Sequence, residues 1–209
     1  PICVSQKIIQ DIAILNRFDL VWMISKREDK LLIDLGLTTK SVIIYPSIET
    51  SGLNFNKQLP PLLPLGPNAF NVYSVIHFVR SVLPYINADI LKSMSIHVSG
   101  SLGSDSALVK FNPPIHHVGF VDDYLKLLAK SCLMLAPTAV GTGQQVKIFE
   151  SLAVGTPVLA YKSAVPHDVL AENPCIMAAN NDEEFARYLS DFATNKDLRE
   201  KYATLAAQS

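Results

Sequence analysis

The stretch 131–161 limits the possible folds of this chain more than any other segment does. It begins with a short apolar run at 132–136 that stops at a proline, which is typical of a buried strand. A loop with two glycines follows, and apolar residues at helical spacing then predict a helix over about 144–154. Gly155 is placed as a helix C-terminal glycine before a second apolar run at 158–161. Strand, loop, helix and strand form one βαβ unit, whose crossover requires a parallel pair of strands.

The loop of this unit has the features of a phosphate site. Backbone N–H groups at the start of a helix lack partners within the helix, and the positive end of its dipole lies there. Gly141 and Gly143 carry no Cβ, so a ligand can approach the backbone closely. Lys147, one turn into the helix, can add a positive charge, and Glu150 can accept two hydrogen bonds from a ribose diol. The pattern predicts a nucleotide or nucleotide-sugar site, and the alternative is a solvated Lys147–Glu150 surface pair.

The same residues resemble a known family. The segment 141–160, G-T-G-Q-Q-V-K-I-F-E-S-L-A-V-G-T-P-V-L-A, is similar to the donor-site segment of GT-B glycosyltransferases of the family 4 (group 1) type. Those enzymes carry a glutamate, then Ala/Ser-Leu/Met-Ala, then x-Gly-x-Pro-Val-Val/Leu-Ala, and residues 150–160 match throughout. The resemblance implies a nucleotide-diphospho-sugar donor whose ribose is held by Glu150. It also implies that the loop holds the diphosphate, through Thr142, Gly143, Gln144 and Gln145 together with Lys147.

The chain departs from the family pattern in two places. The family often has two glutamates separated by seven residues, and the first, which usually faces the transferred sugar, would fall at Thr142. Many members also place basic residues after the first glycine turn of the domain, and none lies within 65–77. Some members have a Gly-x-Gly…Lys-x-x-Glu form instead, to which this chain is closer. Lys147 is therefore expected to face the diphosphate, alone or with help from a further N-terminal part.

Two other turns are expected at the same site. A strand at 62–65 enters the turn 66–68 and a helix predicted over 70–83, which is the first βα step of a Rossmann-like domain. This turn, with Gly66 and Asn68, should point toward the ligand cleft. A strand at 115–118 leads into Gly119, Phe120 and Val121, and the resemblance implies that this turn contacts the nucleotide base.

The predicted fold is α/β, a Rossmann-like doubly wound parallel sheet with about six strands. Residues 62–209 are interpreted as the C-terminal donor-binding domain of a GT-B enzyme, and 51–61, which is polar and then Pro-rich, as a linker. Residues 1–50 resemble the tail of the N-terminal acceptor-binding Rossmann-like domain, whose larger part lies outside this sequence. The alternative is that they are the first βα units of one continuous sheet.

Composition excludes several classes of protein. The formal net charge of −1 provides no basic footprint for nucleic acid. No apolar run approaches the ~18 residues of a membrane span. The three cysteines are far apart and indicate reduced thiols in a cytosolic protein, and no Cys or His spacing is typical of a metal site. A dinucleotide dehydrogenase is disfavoured because no G-x-G-x-x-G follows the first strand.

The expected function is transfer of a sugar from a nucleotide-diphospho-sugar to a sugar, lipid-linked or other acceptor. The resemblance implies retention of configuration, no metal or other cofactor, and a catalytic residue in the N-terminal domain, so that this chain alone should be inactive. A cytoplasmic location is expected, with peripheral membrane association through the N-terminal part. Two alternatives stay open: a nucleotide-sugar epimerase of related fold, and a non-catalytic nucleotide-binding or interaction domain.

Overall fold

The computed structural model describes residues 4–44, 47–50, 53, 57–66, 69–100, 114–138 and 146–208. The described residues form two compact units, one ending at Ser47 and one beginning at Ile48. This boundary lies close to the limit at residue 50 that the sequence suggested. The assignment of the units to acceptor and donor domains stays a prediction.

The first unit has the order helix, strand, helix, strand. Its elements are α1 (Val4–Leu15), β1 (Val21–Met23), α2 (Lys26–Asp34) and β2 (Ser41–Ile43). The capping pattern at Ser25 is observed, since its side chain accepts a hydrogen bond from the Glu28 amide (3.2 Å) and opens α2. The two strands are parallel, as the strand–helix–strand pattern requires.

The second unit is built on a six-stranded sheet in which all the strand pairs are parallel. Its strands are β3 (Leu62–Pro64), β4 (Ile96–Ser99), β5 (Ile115–Gly119), β6 (Met134–Ala136), β7 (Val158–Tyr161) and β8 (Ile176–Ala179). The helices are α3 (Ala69–His77), α4 (Ala88–Ser93), α5 (Tyr124–Lys130), α6 (Val146–Ala153), α7 (His167–Glu172), α8 (Asp182–Thr194) and α9 (Lys196–Ala206). The strand order is β5-β4-β3-β6-β7-β8, which is a doubly wound sheet. The predicted fold class is confirmed.

Apolar residues on both faces of this sheet are buried, which explains why its strands read as continuous apolar runs. Leu63 and Leu135 face one core with Phe78 and with Phe185 of α8. The opposite core contains Leu62, Met134, Leu128 of α5 and Ile148 of α6. Helices therefore pack on both faces, and the carboxyl ends of the strands are left to form a common edge.

The helix predicted over 70–83 is not regular along its whole length. After α3 the chain forms a π-helical turn at Phe78–Val82 and a 3₁₀ turn at Leu83–Tyr85. Pro84 cannot donate a backbone hydrogen bond and its ring crowds the carbonyl one turn earlier, so the regular α-helical pattern is lost before it. The short helices α4 and α7 had no clear periodic signal and were not predicted.

The residues just before β3, interpreted from the sequence as linker, are anchored to the ends of two helices of the second unit. The Leu59 amide donates to the Lys130 carbonyl (2.9 Å), and Lys57 Nζ donates to the carbonyls of Ala129 (2.7 Å) and Val154 (3.0 Å). These carbonyls lie at the C-terminal ends of α5 and α6, where a cation is favourable. Burial lowers the pKa of Lys57 to about 8. This lysine therefore connects the segment that leads into β3 to the ends of α5 and α6.

Candidate functional site

The strand order creates a crevice between β3 and β6. The chain runs from β3 to β4 and β5 on one side, and from β6 to β7 and β8 on the other. In open α/β sheets, ligands bind at the carboxyl ends of the strands where the order reverses in this way. The register of β3 with β6 covers the single pair Leu62 and Met134, so ladder pairing stops before the strands end.

Lys147 of α6 reaches into this crevice. Its Nζ donates hydrogen bonds to the Pro64 carbonyl (2.8 Å) and to Asn71 Oδ1 (2.7 Å). The Leu65 amide donates to the Ser99 carbonyl on β4 (2.8 Å), so the Pro64 carbonyl of the same peptide unit faces β6. At the end of β3, the ammonium group therefore takes the position in which a backbone N–H of the neighbouring strand would donate to the Pro64 carbonyl.

The ammonium group of Lys147 is largely removed from water. Burial lowers its pKa to about 8, and the nearby charge of Glu150 acts in the opposite direction. Two of its three N–H groups are used, and the described residues offer the third no hydrogen-bond acceptor. A Cβ placed on Gly66 would lie 3.9 Å from Nζ and 3.1 Å from Asn71 Nδ2. A cation and an amide thus border the space beside the Gly66 backbone.

Glu150 is half-buried on the same helix and does not pair with Lys147. Within the part of the chain that the structure describes, its carboxylate has no hydrogen bond and no ion pair. Burial raises its pKa, and the charge of Lys147 counteracts this. The solvated surface pair considered from the sequence is not observed, because the ammonium group is held by β3 and α3. A half-buried carboxylate without a partner is suited to a ligand that brings hydroxyl donors.

Tyr124, at the start of α5, adds an unsatisfied group near Glu150. Among the described residues its buried hydroxyl has no hydrogen-bond partner, and burial together with the Glu150 charge raises its pKa. Buried hydroxyl groups normally have partners, so this one needs an explanation such as a bound group. Sequence reasoning missed Tyr124, since a tyrosine at the start of an amphipathic helix carries no local signal of a site.

The ends of β4 and β5 continue the edge that begins at Gly66. The Gly100 amide donates to the Gly119 carbonyl (2.7 Å), and His117 Nε2 bonds to the Gly100 carbonyl (2.8 Å). Gly119 has a φ of +76°, Phe120 is 79% exposed and Val121 is half-buried. The three residues expected to contact a base therefore lie at the carboxyl end of the edge strand β5.

The predicted site residues divide into those that the structure describes and those that it does not. Gly66 and Lys147 lie at the β3–β6 crevice, and Glu150 lies one turn further along α6, close enough for the two charges to interact. Asn68, Thr142, Gly143, Gln144 and Gln145 lie outside the described residues. Asn71 was missed from the sequence, since it meets Lys147 across 76 residues of chain and no local pattern distinguishes it.

Among the residues that the structure describes, no three His, Cys, Asp or Glu side chains are grouped so that they could hold a metal ion. No helix in the described ranges combines the length and apolar character needed to cross a bilayer.

A doubly wound parallel sheet whose strand order reverses between β3 and β6 defines a Rossmann-like domain, and Lys147 lies at this switch point. Residues 65–195 match the sequence model of the family described as glycosyl transferases group 1. This match covers more than half of the chain, which therefore belongs to the group 1 glycosyltransferase family. The predicted relationship is confirmed. No curated protein matches the chain significantly.

Solved glycosyltransferase structures share this fold. Alr3699/HepE of Anabaena, solved in complex with UDP and glucose, has a TM-score of 0.67 at 17% identity, covering 99% of this chain and 62% of that one. TarM of S. aureus has a TM-score of 0.68 at 13% identity, covering 95% and 41%. WaaG, a glycosyltransferase involved in lipopolysaccharide biosynthesis, has a TM-score of 0.68 at 18% identity, covering 90% and 57%. The chain thus spans about 41% to 62% of the length of these structures.

Proposed function

We propose that this chain is the donor-binding part of an enzyme that transfers a sugar from a nucleotide-diphospho-sugar to an acceptor. The observation that carries the proposal is the ammonium group of Lys147 at the β3–β6 switch point, beside Gly66. A diphosphate suits this position because it brings the negative charge that a buried cation lacks. Membership in the glycosyltransferase family supplies the class of reaction.

Each part of the donor has a proposed partner along the strand ends. Lys147 faces the diphosphate and stabilises its charge as it leaves, which is an electrostatic role. Glu150 accepts hydrogen bonds from the ribose hydroxyls, and the turn 119–121 contacts the base. Alr3699/HepE was solved with UDP-glucose, which supports a nucleotide sugar as the ligand of this fold.

The first test is calorimetric titration of the chain with a panel of nucleoside diphosphates and nucleotide sugars. Lys147→Met should weaken the binding of the preferred diphosphate about 10- to 100-fold, since a charge-assisted hydrogen bond is lost. Lys92→Met, at an exposed position on α4, is the matched control and should bind like wild type. Absence of binding by the wild-type chain, or equal losses in both variants, would overturn the proposal.

The ribose assignment has its own test. Glu150→Gln keeps the shape of the side chain but weakens its acceptor, so the preference for a ribonucleotide over the matching deoxyribonucleotide should shrink. Equal losses for the two nucleotides would contradict the role of Glu150.

Retention and metal independence are part of the same proposal. Retention is supported by the family resemblance, and Lys147 can supply the positive charge that a metal supplies in other transferases. The anomeric configuration of the product, followed by NMR, tests the first point. Transfer by the full-length enzyme should be unchanged in EDTA, and its loss would point to a metal-dependent reaction.

We further propose that the first unit belongs to an acceptor-binding domain completed by additional chain, which also supplies the catalytic residue. The support is its uncovered sheet face and the 41% to 62% of the solved structures that this chain spans. A cytoplasmic location is supported by Cys132 and Cys175, neither of which is in a disulfide. Fractionation of cells before and after a salt wash tests this location and the peripheral membrane association proposed for the N-terminal part.

A further inference from the structure

Lys147 and Glu150 lie three residues apart on α6, and such oppositely charged neighbours normally attract each other. Here the two side chains form no ion pair, and Nζ bonds instead to the Pro64 carbonyl and to Asn71 Oδ1. Lysine has a flexible four-carbon stem, so its position depends on the acceptors that hold it. The Pro64 carbonyl is part of the backbone, which leaves Asn71 as the side chain that decides where the ammonium group lies.

We propose that Asn71 is a positioning residue of the donor site, which holds the Lys147 ammonium group at the end of β3 and away from Glu150. The cation and the carboxylate are thereby kept apart, so that each can bind a different part of one ligand. This inference rests on the proposed function for the nature of that ligand. The hydrogen bond between Asn71 and Lys147 (2.7 Å) fixes the ammonium group within the protein itself, and such preorganisation lowers the cost of binding.

The packing of Gly66 supports this role. Its φ does not lie in the left-handed region, so the absence of a side chain rather than backbone freedom is what matters there. A Cβ on Gly66 would come within 3.1 Å of Asn71 Nδ2, closer than an ordinary contact. The side chain of Asn71 therefore fills the space that Gly66 leaves, which limits where its carbonyl can point.

The first test is a double-mutant cycle measured by calorimetry with the nucleoside diphosphate that the wild-type chain prefers. Asn71→Ala should weaken binding about 10-fold, because the ammonium group is released from the crevice. The double variant Asn71→Ala/Lys147→Met should bind no more weakly than Lys147→Met alone, since Asn71 acts through that lysine. Losses that multiply, or an Asn71→Ala variant that binds like wild type, would overturn the inference.

Tyr73→Ala is the matched control on α3. Tyr73 is 68% exposed, and its replacement introduces the same residue into the same helix without touching Lys147. It should bind the diphosphate like wild type. If Asn71→Ala fails to fold in a thermal unfolding assay, Asn71→Ser replaces it, since serine is too short to reach Nζ and the same losses are expected.

The second test needs no nucleotide. The titration of Lys147 is followed by NMR of its side chain, in the wild-type chain and in Asn71→Ala. Burial holds the pKa of Lys147 at about 8, so its release from the crevice should move the pKa up toward the ordinary lysine range. A pKa that stays near 8 in the folded variant would overturn the inference. Failure of the wild-type chain to bind any diphosphate would overturn the proposed function instead, which distinguishes the two.

Discussion

Lys147 and Glu150 are each held in an environment that disfavours their charged form. Burial lowers the pKa of the ammonium group to about 8 and raises the pKa of the carboxyl group. A phosphate beside Lys147 would favour the ammonium form, and hydroxyl donors beside Glu150 would favour the carboxylate. If the proposed donor binds here, ligand binding and protonation are therefore coupled at both residues.

This coupling predicts a bell-shaped dependence of nucleoside diphosphate affinity on pH. Affinity should fall above a pH of about 8, where unliganded Lys147 loses its proton. It should also fall at acidic pH, and sooner than for an ordinary glutamate, because the pKa of Glu150 is raised. Calorimetry between about pH 5 and about pH 10 covers both sides, since the ordinary pKa values of the two groups bracket this range.

Two variants test which residue causes the decrease in affinity on each side of this pH profile. Lys147→Met should remove the decrease at alkaline pH, and Glu150→Gln should remove the decrease at acidic pH. A profile that is flat, or that keeps both decreases in the two variants, would contradict the assignment.

Among the elements, the ends of β3, β4 and β5 are joined into one edge by two different glycines. Gly100 has a φ of +103°, and a Cβ there would lie 2.3 Å from the Leu65 carbonyl oxygen. Gly119 has a φ of +76°, but a Cβ there would meet no atom within 4 Å. The first glycine is required by both backbone conformation and packing, and the second by conformation alone.

These two glycines form a matched pair for a stability measurement. Gly119→Ala should lower the free energy of unfolding by about 1 kcal/mol, the strain of a left-handed residue. Gly100→Ala should lower it by about 3 kcal/mol or more, because the β4 and β3 ends must also move apart. Urea denaturation of both variants tests this difference. Equal losses in the free energy of unfolding would show that the close contact with Leu65 can be relieved at little energetic cost, which would contradict the prediction.

At the scale of the whole molecule, the described residues of the first unit leave one face of its parallel sheet exposed. Trp22 and Val42 are opposite each other in β1 and β2 and are 71% and 39% exposed. Parallel sheets in proteins are normally covered on both faces. A further layer of chain over this face is therefore expected in the complete enzyme.

Trp22 is the single tryptophan of the chain, so its fluorescence reports on this face directly. In the 209-residue chain its emission should be that of a solvated indole and readily quenched by acrylamide. In a longer polypeptide that carries the proposed acceptor domain, the emission should shift to shorter wavelength. The short chain should also show no sugar transfer. A shielded tryptophan or measurable transfer in the short chain would contradict the domain proposal.

Much of the second unit could be predicted from the sequence, because the signals involved span only a few residues. Apolar runs, Gly155 at the end of α6 and the capping pattern at Ser25 each reflect local backbone preferences. Lys147 and Glu150 can be identified as candidate site residues from a single helical turn of sequence. The least predictable parts were the irregular end of α3 and the short helices α4 and α7, where a proline or a weak periodicity left little local signal.

The chain alone therefore established a parallel α/β domain with a Lys-x-x-Glu helix behind a glycine loop. It did not establish that Lys147 would turn from Glu150 toward Pro64 and Asn71, because those acceptors belong to a strand and a helix far along the chain. Their meeting depends on the strand order, which places β3 beside β6 and opens the crevice between them. Long-range contacts of this kind follow from how whole elements pack. The free energy that favours them depends on residues far apart in the chain, so no short stretch of sequence can predict them.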